Sequence, residues 1–127
     1  FGHFTEPFLR DVFVHYDSKV DLQWHALRKA LGRTPAHSPV RTVVSADAFV
    51  DEILRRDLKL QGEHIADRLE QLNSFSLEPK ILENLLRAHR ITNELKKAPD
   101  FDLSLIDADE TLDFYEEFLA ALGALRR

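Results

Sequence analysis

Apolar residues recur along this chain at spacings of three and four, the period of helices that bury one face. The first stripe is Phe8, Leu9, Val12, Phe13 and Tyr16. Thr5 supplies a capping hydroxyl before it, and Pro7 falls in the first turn, where a missing N–H leaves no bond unmade. The spacing predicts a helix through Tyr16. The competing pattern is a short strand, V-F-V-H-Y, because V-F-V and Tyr16 have high β propensity and a following helix would make a β-α start.

Asp17 or Ser18 can cap the next helix, with Val20, Trp24, Leu27 and Leu31 as its buried stripe and Gly32 as its stop. Pro35 and Pro39 make the stretch from Gly32 to Val44 a loop, ending either irregularly or in an extended V-R-T-V-V. Ser45 then caps a helix with Phe49, Val50, Ile53 and Leu54 inward. The pattern continues through Leu58, Ile65, Leu69 and Leu72, and Gly62 is its weak point, so it is one bent helix or two. Ser76 opens a further helix with Pro79 in its first turn. Ile81, Leu82, Leu85, Leu86 and Leu95 line the inner face, and Pro99 forces an end near Lys97. Phe101, Leu103 and Leu105 alternate with polar residues in an extended connector. Asp107 and Glu110 read as a capping box for the last helix, striped by Leu112, Tyr115, Phe118, Leu119, Leu122 and Leu125.

These elements predict an all-α fold, five or six helices in an antiparallel bundle or irregular helical array, with Trp24, Leu85 and Leu119 in one core. A different expectation follows if residues 11–16 and 40–44 are strands: an α/β domain of nucleotide-binding type.

Composition narrows the classes. The 127 residues are 44% hydrophobic with nine Phe, enough for one domain spanning 1–127. The absence of Met at position 1 or elsewhere suggests a domain excised from a longer protein or a processed product. There is no cysteine, hence no disulfide framework, thiol nucleophile or thiolate zinc site, and a cytoplasmic setting is expected. No apolar run reaches the roughly 18 residues of a membrane span, so no membrane partner is expected. The net charge of −5 hides a polarity. From Leu22 to Ala46 there is no acid, while Arg28, Lys29, Arg33 and Arg41 form a basic strip. From Asp100 to Glu117 there are eight acids and no Lys or Arg. Overall acidity argues against a dedicated nucleic-acid binder, though the basic strip could track a few phosphates of RNA.

Six histidines are scattered at 3, 15, 25, 37, 64 and 89, without H-E-x-x-H spacing. The nearest ligand pair, His64 with Asp67, reads as polar surface, so no metal and no cofactor are expected. His89 follows Leu85 and Leu86 at helical spacing and reads as a core or boundary histidine. Asp113, Glu116 and Glu117 could be general acid and base carboxylates, but Leu112, Tyr115, Leu119 and Leu122 claim the opposite side, which makes them the wet face of the last helix. The four glycines fall in no phosphate-binding context, and serine hydrolase signatures are absent.

One motif remains. In R-D-V-F-V-H, Arg10 and His15 lie about 140° apart on a helix and converge only if it ends near the histidine. Asp17-Ser18 supplies such an end. An Arg, four residues and a His, followed here by Tyr16, Val20-Asp21-Leu22 and Trp24, resembles the Arg-x4-His signature of the HEPN superfamily, in particular its HepT-like members. The likeness covers residues 9–31. It implies metal-independent RNA cleavage by a dimer, with His15 taking the proton of a ribose 2′-hydroxyl and Arg10 stabilising charge on the scissile phosphate. The residues by themselves pair Arg10 with Glu6 or Asp11 and set His15 at a helix C-terminus, where a cation is favoured. The primary expectation is therefore a non-catalytic α-helical interaction or regulatory domain of a larger protein or assembly, with a protein partner or a second copy of the chain. The HEPN-type endoribonuclease is the alternative.

Overall fold

The computed structural model describes residues 14–126. Over that span the chain is an all-α array of helices α1 (Ser18–Ala30), α2 (Pro39–Arg56), α3 (Ile65–Gln71), α4 (Pro79–Lys97) and α5 (Leu105–Ala121). Single 3₁₀ turns lie at Pro35–His37 and Leu72–Ser74, and no β-strand is present among the described residues. The helix expected before Tyr16 lies mostly outside those residues. Its described end, 14–16, is irregular and not helical, because Val14 spends its N–H on the carbonyl of Leu122, 2.8 Å away.

Each helix starts where a side chain accepts from a free N–H or where a proline, which has no N–H to leave unpaired, takes the first position. Asp17 caps α1 by accepting from the Lys19 N–H at 2.8 Å. Gly32 follows the end of α1 at φ +75°, and a Cβ there would stand 2.7 Å from the Leu105 side chain. Ser38 caps α2 by accepting from the Arg41 N–H, with Pro39 as the first helical residue. Two expectations are corrected here: 40–44 are helix and not an extended segment, and the cap of α2 is Ser38, seven residues before Ser45. Ser38-Pro39 is the stronger signal, since proline at the first position is already set at a helical φ. Strands at 11–16 and 40–44 are overturned by the same observations as far as the residues are described.

Past Asp57 the second of the two alternatives holds, two helices: the chain leaves α2, loops through Gly62 and re-enters helix at Ile65. Asp67 reaches back to accept from the His64 N–H at 3.1 Å, capping α3. α4 starts at Pro79 with Glu78, not Ser76, at its cap, and ends at Lys97 as Pro99 requires. α5 is capped by Ser104, which accepts from the Asp107 N–H at 3.0 Å, so Asp107 is in the first turn and the expected Asp107–Glu110 box is displaced.

α2, α4 and α5 pack on one another. Their stripes meet as Val43, Val50 and Leu54, then Leu85 and Leu95, then Leu112, Phe118 and Leu119, in one buried cluster. α1 adds Trp24, wholly buried, its ring 5.5 Å from Phe49. Trp24, Leu85 and Leu119 thus share a core, as the stripes predict. α3 is held to α2 by Arg68, buried, which donates to both oxygens of Asp51 (2.6 and 2.8 Å) and to the carbonyl of Gly62 (2.6 Å). Beyond α5, Arg126 stacks 4.3 Å over the Tyr16 ring and donates its N–H to Asp21, which also accepts from the Tyr16 hydroxyl. Residues 14–16 and 122–126 therefore form a clasp. No helix is long and apolar enough to cross a membrane, among the described residues.

Candidate functional site

Arg10 lies outside the described residues. His15 is exposed, and its ring has no hydrogen-bond or ion-pair partner among them. The backbone at His15 is not helical, and the helix end expected ahead of it, with Arg10, falls on residues outside those described.

Of the basic strip, Arg28 is engaged inside the fold. Its guanidinium pairs with Asp109 (2.5 Å), Asp113 (2.7 Å) and Glu116 (3.2 Å) of α5. Burial disfavours its charge, but the hydrogen bonds to Asp113 and Asp109 prevail and raise its pKa above the ordinary arginine value. Glu116 also accepts from the Trp24 indole at 2.8 Å. The wet face expected for Asp113 and Glu116 is thus in part the joint between α1 and α5. Lys29, Arg33 and Arg41 are exposed, and no hydrogen bond or ion pair joins them to one another. Arg41 borders a hollow of about 530 Å³ together with Lys96 and Asp100.

The polar groups of catalytic type converge in the interior instead. Asp47 of α2, 2% exposed, accepts from the Tyr115 hydroxyl of α5 at 2.7 Å and faces Nδ1 of His89 of α4 at 3.1 Å. Two acceptors would repel at that distance, so Nδ1 carries a proton. The Tyr115 hydroxyl also meets Thr92 Oγ1 at 2.8 Å, and Asn93 lies 3.3 Å from His89 Nε2. Burial first, then the charge of Asp47, pushes the Tyr115 pKa far above the ordinary phenol value. No buried side-chain polar atom is left unpaired among the described residues. This layer is a closed network joining three helices, with its donors and acceptors turned on one another. Its edge reaches solvent at exposed Asn93 and at His89, which borders a hollow of about 220 Å³ with Glu70, Asn73 and Arg90.

Sequence reasoning placed His89 in the core or at its boundary but missed Asp47. With α2 started at Ser45, Asp47 falls in a first turn, where an acid is ordinary. With the start at Ser38 it falls in the middle of the stripe Val43, Asp47, Val50, Leu54, and an acid there demands partners.

A second feature is apolar. Phe101 is 57% exposed, Leu105 55% and Ile106 80%, all at the turn from α4 into α5. Phe101 also lines one of two hollows of about 360 Å³ each, which share Ile91 and Leu103. One is completed by Glu94, Leu95, Ala98 and Phe101, the other by Arg87, Asp107, Glu110, Thr111 and Phe114. Together they make a groove along the outer side of the α4–α5 pair. No group of three or more His, Asp or Glu is placed to hold a metal ion, among the described residues. Comparison of the chain with protein-family models, curated proteins and solved structures gives no match.

Proposed function

We propose that the chain is a non-catalytic α-helical interaction domain acting within a larger protein or assembly, in a cytoplasmic setting. One observation carries the reading: Phe101, Leu105 and Ile106 expose more than half of their surface within six consecutive positions. A lone exposed residue such as Leu22 is ordinary for a folded surface. Three large apolar side chains exposed close together in sequence, one of them (Phe101) lining an apolar groove, are the composition of a surface that a partner covers. The acid, base and hydroxyl that could do chemistry, Asp47, His89 and Tyr115, satisfy one another in the interior and have no room for a substrate between them.

The test is a doubly substituted variant, Phe101→Ser with Ile106→Ser, used beside wild type for quantitative capture from native-host extract and for sizing chromatography. Proteins, or a second copy of the chain, retained by wild type should be lost from a variant whose melting curve is unchanged. Identical capture and sizing would overturn the reading. The ribonuclease reading stands second, favoured by the exposed ring of His15, which has no partner among the described residues. It expects single-stranded RNA to be cut in the presence of chelator, with products ending in cyclic phosphate, and expects His15→Ala and Arg10→Ala to abolish this. No cutting by wild type across a broad RNA panel would overturn it.

A further inference from the structure

We propose that the groove along α4 and α5 binds a basic amphipathic helix of a partner protein, an inference that rests on the reading of the chain as an interaction domain. The floor is apolar: Ile91 and Leu103 are common to both hollows, with Phe101 at one end and Phe114 at the other. On α4 the groove runs from Arg87 to Ala98, about 16 Å at 1.5 Å per residue, or three turns. That length matches the anchors of a helix laid in a groove, which repeat at i, i+3 or i+4, and i+7.

The rim sets the charge of the partner. Glu94, Asp107 and Glu110 border the groove against one cation, Arg87. Asp107 and Glu110 make no ion pair among the described residues, and Glu94 pairs only with Lys97 at the exposed surface. Asp100 and Asp102, both exposed, flank Phe101 in sequence. An apolar floor with an acidic rim attracts apolar anchors flanked by Lys or Arg, and repels the phosphates of RNA or of anionic lipid.

The experiment is fluorescence anisotropy with a dye-labelled Leu/Lys amphipathic peptide of about 18 residues, long enough to exceed the groove. Beside it go a Leu/Glu peptide of the same pattern and a Ser/Lys peptide of the same charge. The Leu/Lys peptide should bind at least tenfold more tightly than either, and added salt should weaken it. Glu94→Lys and Glu110→Lys should each weaken it about fivefold or more, as should Phe101→Ser, while Glu63→Lys in the exposed α2–α3 loop should change nothing; melting curves check that all variants fold. Equal binding of the Leu/Glu peptide, with no effect of the charge reversals, would overturn the basic partner but leave the groove as a docking site. Binding of the Ser/Lys peptide as tightly as Leu/Lys, or preferential retention on anionic vesicles, would overturn the helix assignment. If no peptide binds but Phe101→Ser with Ile106→Ser still abolishes capture, this inference fails and the interaction reading survives; if capture is also unchanged, both fall.

Discussion

Replacing Asp47 with Ala removes the acceptor at the centre of the buried layer, and the size of the loss follows from what surrounds it. Two hydrogen bonds to a charged group disappear, from Tyr115 at 2.7 Å and His89 at 3.1 Å. Each is of a class measured at about 1.5–3 kcal/mol. Against this, the carboxylate no longer bears its own desolvation, which in real proteins is several kcal/mol. The partners also differ. Tyr115 keeps Thr92, whereas the Nδ1 proton of His89 is left facing a small void. The balance is an expected loss of about 2–4 kcal/mol, within the range for breaking a buried polar pair. In urea, with a slope of about 1–2 kcal/mol/M, the midpoint should fall by about 1–4 M at constant slope. Asp47→Asn keeps an acceptor for Tyr115 but sets an amide against the histidine, so its midpoint should lie between the two. A double-mutant cycle with His89→Ala should show a coupling of at least about 1 kcal/mol. A midpoint at or above wild type for Asp47→Ala, or simple additivity in the cycle, would refute the argument.

Leu85, 1% exposed in the core, should cost about 2–5 kcal/mol when changed to Ala, read as a lowered urea midpoint. The Tyr115 hydroxyl, whose folded pKa is raised, gives a pH dependence of definite sign. Its stabilisation is complete below the unfolded tyrosine pKa of about 10 and declines above it, by up to about 1.4 kcal/mol per pH unit, because only the unfolded chain releases the proton. Tyr115→Phe should flatten that alkaline slope by one proton in pH-dependent melts. Arg28→Met keeps the apolar stem but loses the links to α5. It should lower stability by about 1 kcal/mol in dilute buffer and by less in strong salt, since the acids it meets are largely exposed.

The positions legible in the sequence were those where periodicity and packing agree. The stripes of α4 and α5 placed Leu85, Leu95, Leu112 and Leu119 inside, and Pro99 placed the end of α4 at Lys97. Helix starts were less legible, because several residues in each junction can cap. Ser38 prevailed over Ser45, Glu78 over Ser76, and Ser104 over Asp107. The first of these misplacements hid the buried layer, since it turned Asp47 from a core acid into a first-turn acid. Arg68 and Arg28 were illegible for a different reason: a long cationic side chain is read as solvated until the carboxylates that surround it, Asp51 for one and Asp109 and Asp113 for the other, are known to be near. The groove was illegible too, because it belongs to the α4–α5 pair and to neither helix alone.

The clasp of residues 14–16 against 122–126 lies at the far end of α5 from the Phe101 turn. The 17 residues of α5 separate them by about 26 Å. Because the chain contains no native thiol, a cysteine placed at exposed His15 or Arg126 would be a unique chemical handle at that pole. A molecule anchored there to a sensor surface would stand upright on α5, with Phe101, Leu105 and Ile106 held out toward the solution. The same geometry makes the helix a ruler: a dye at the clasp and another at the Phe101 turn would be separated by about the length of α5, a distance well suited to energy transfer.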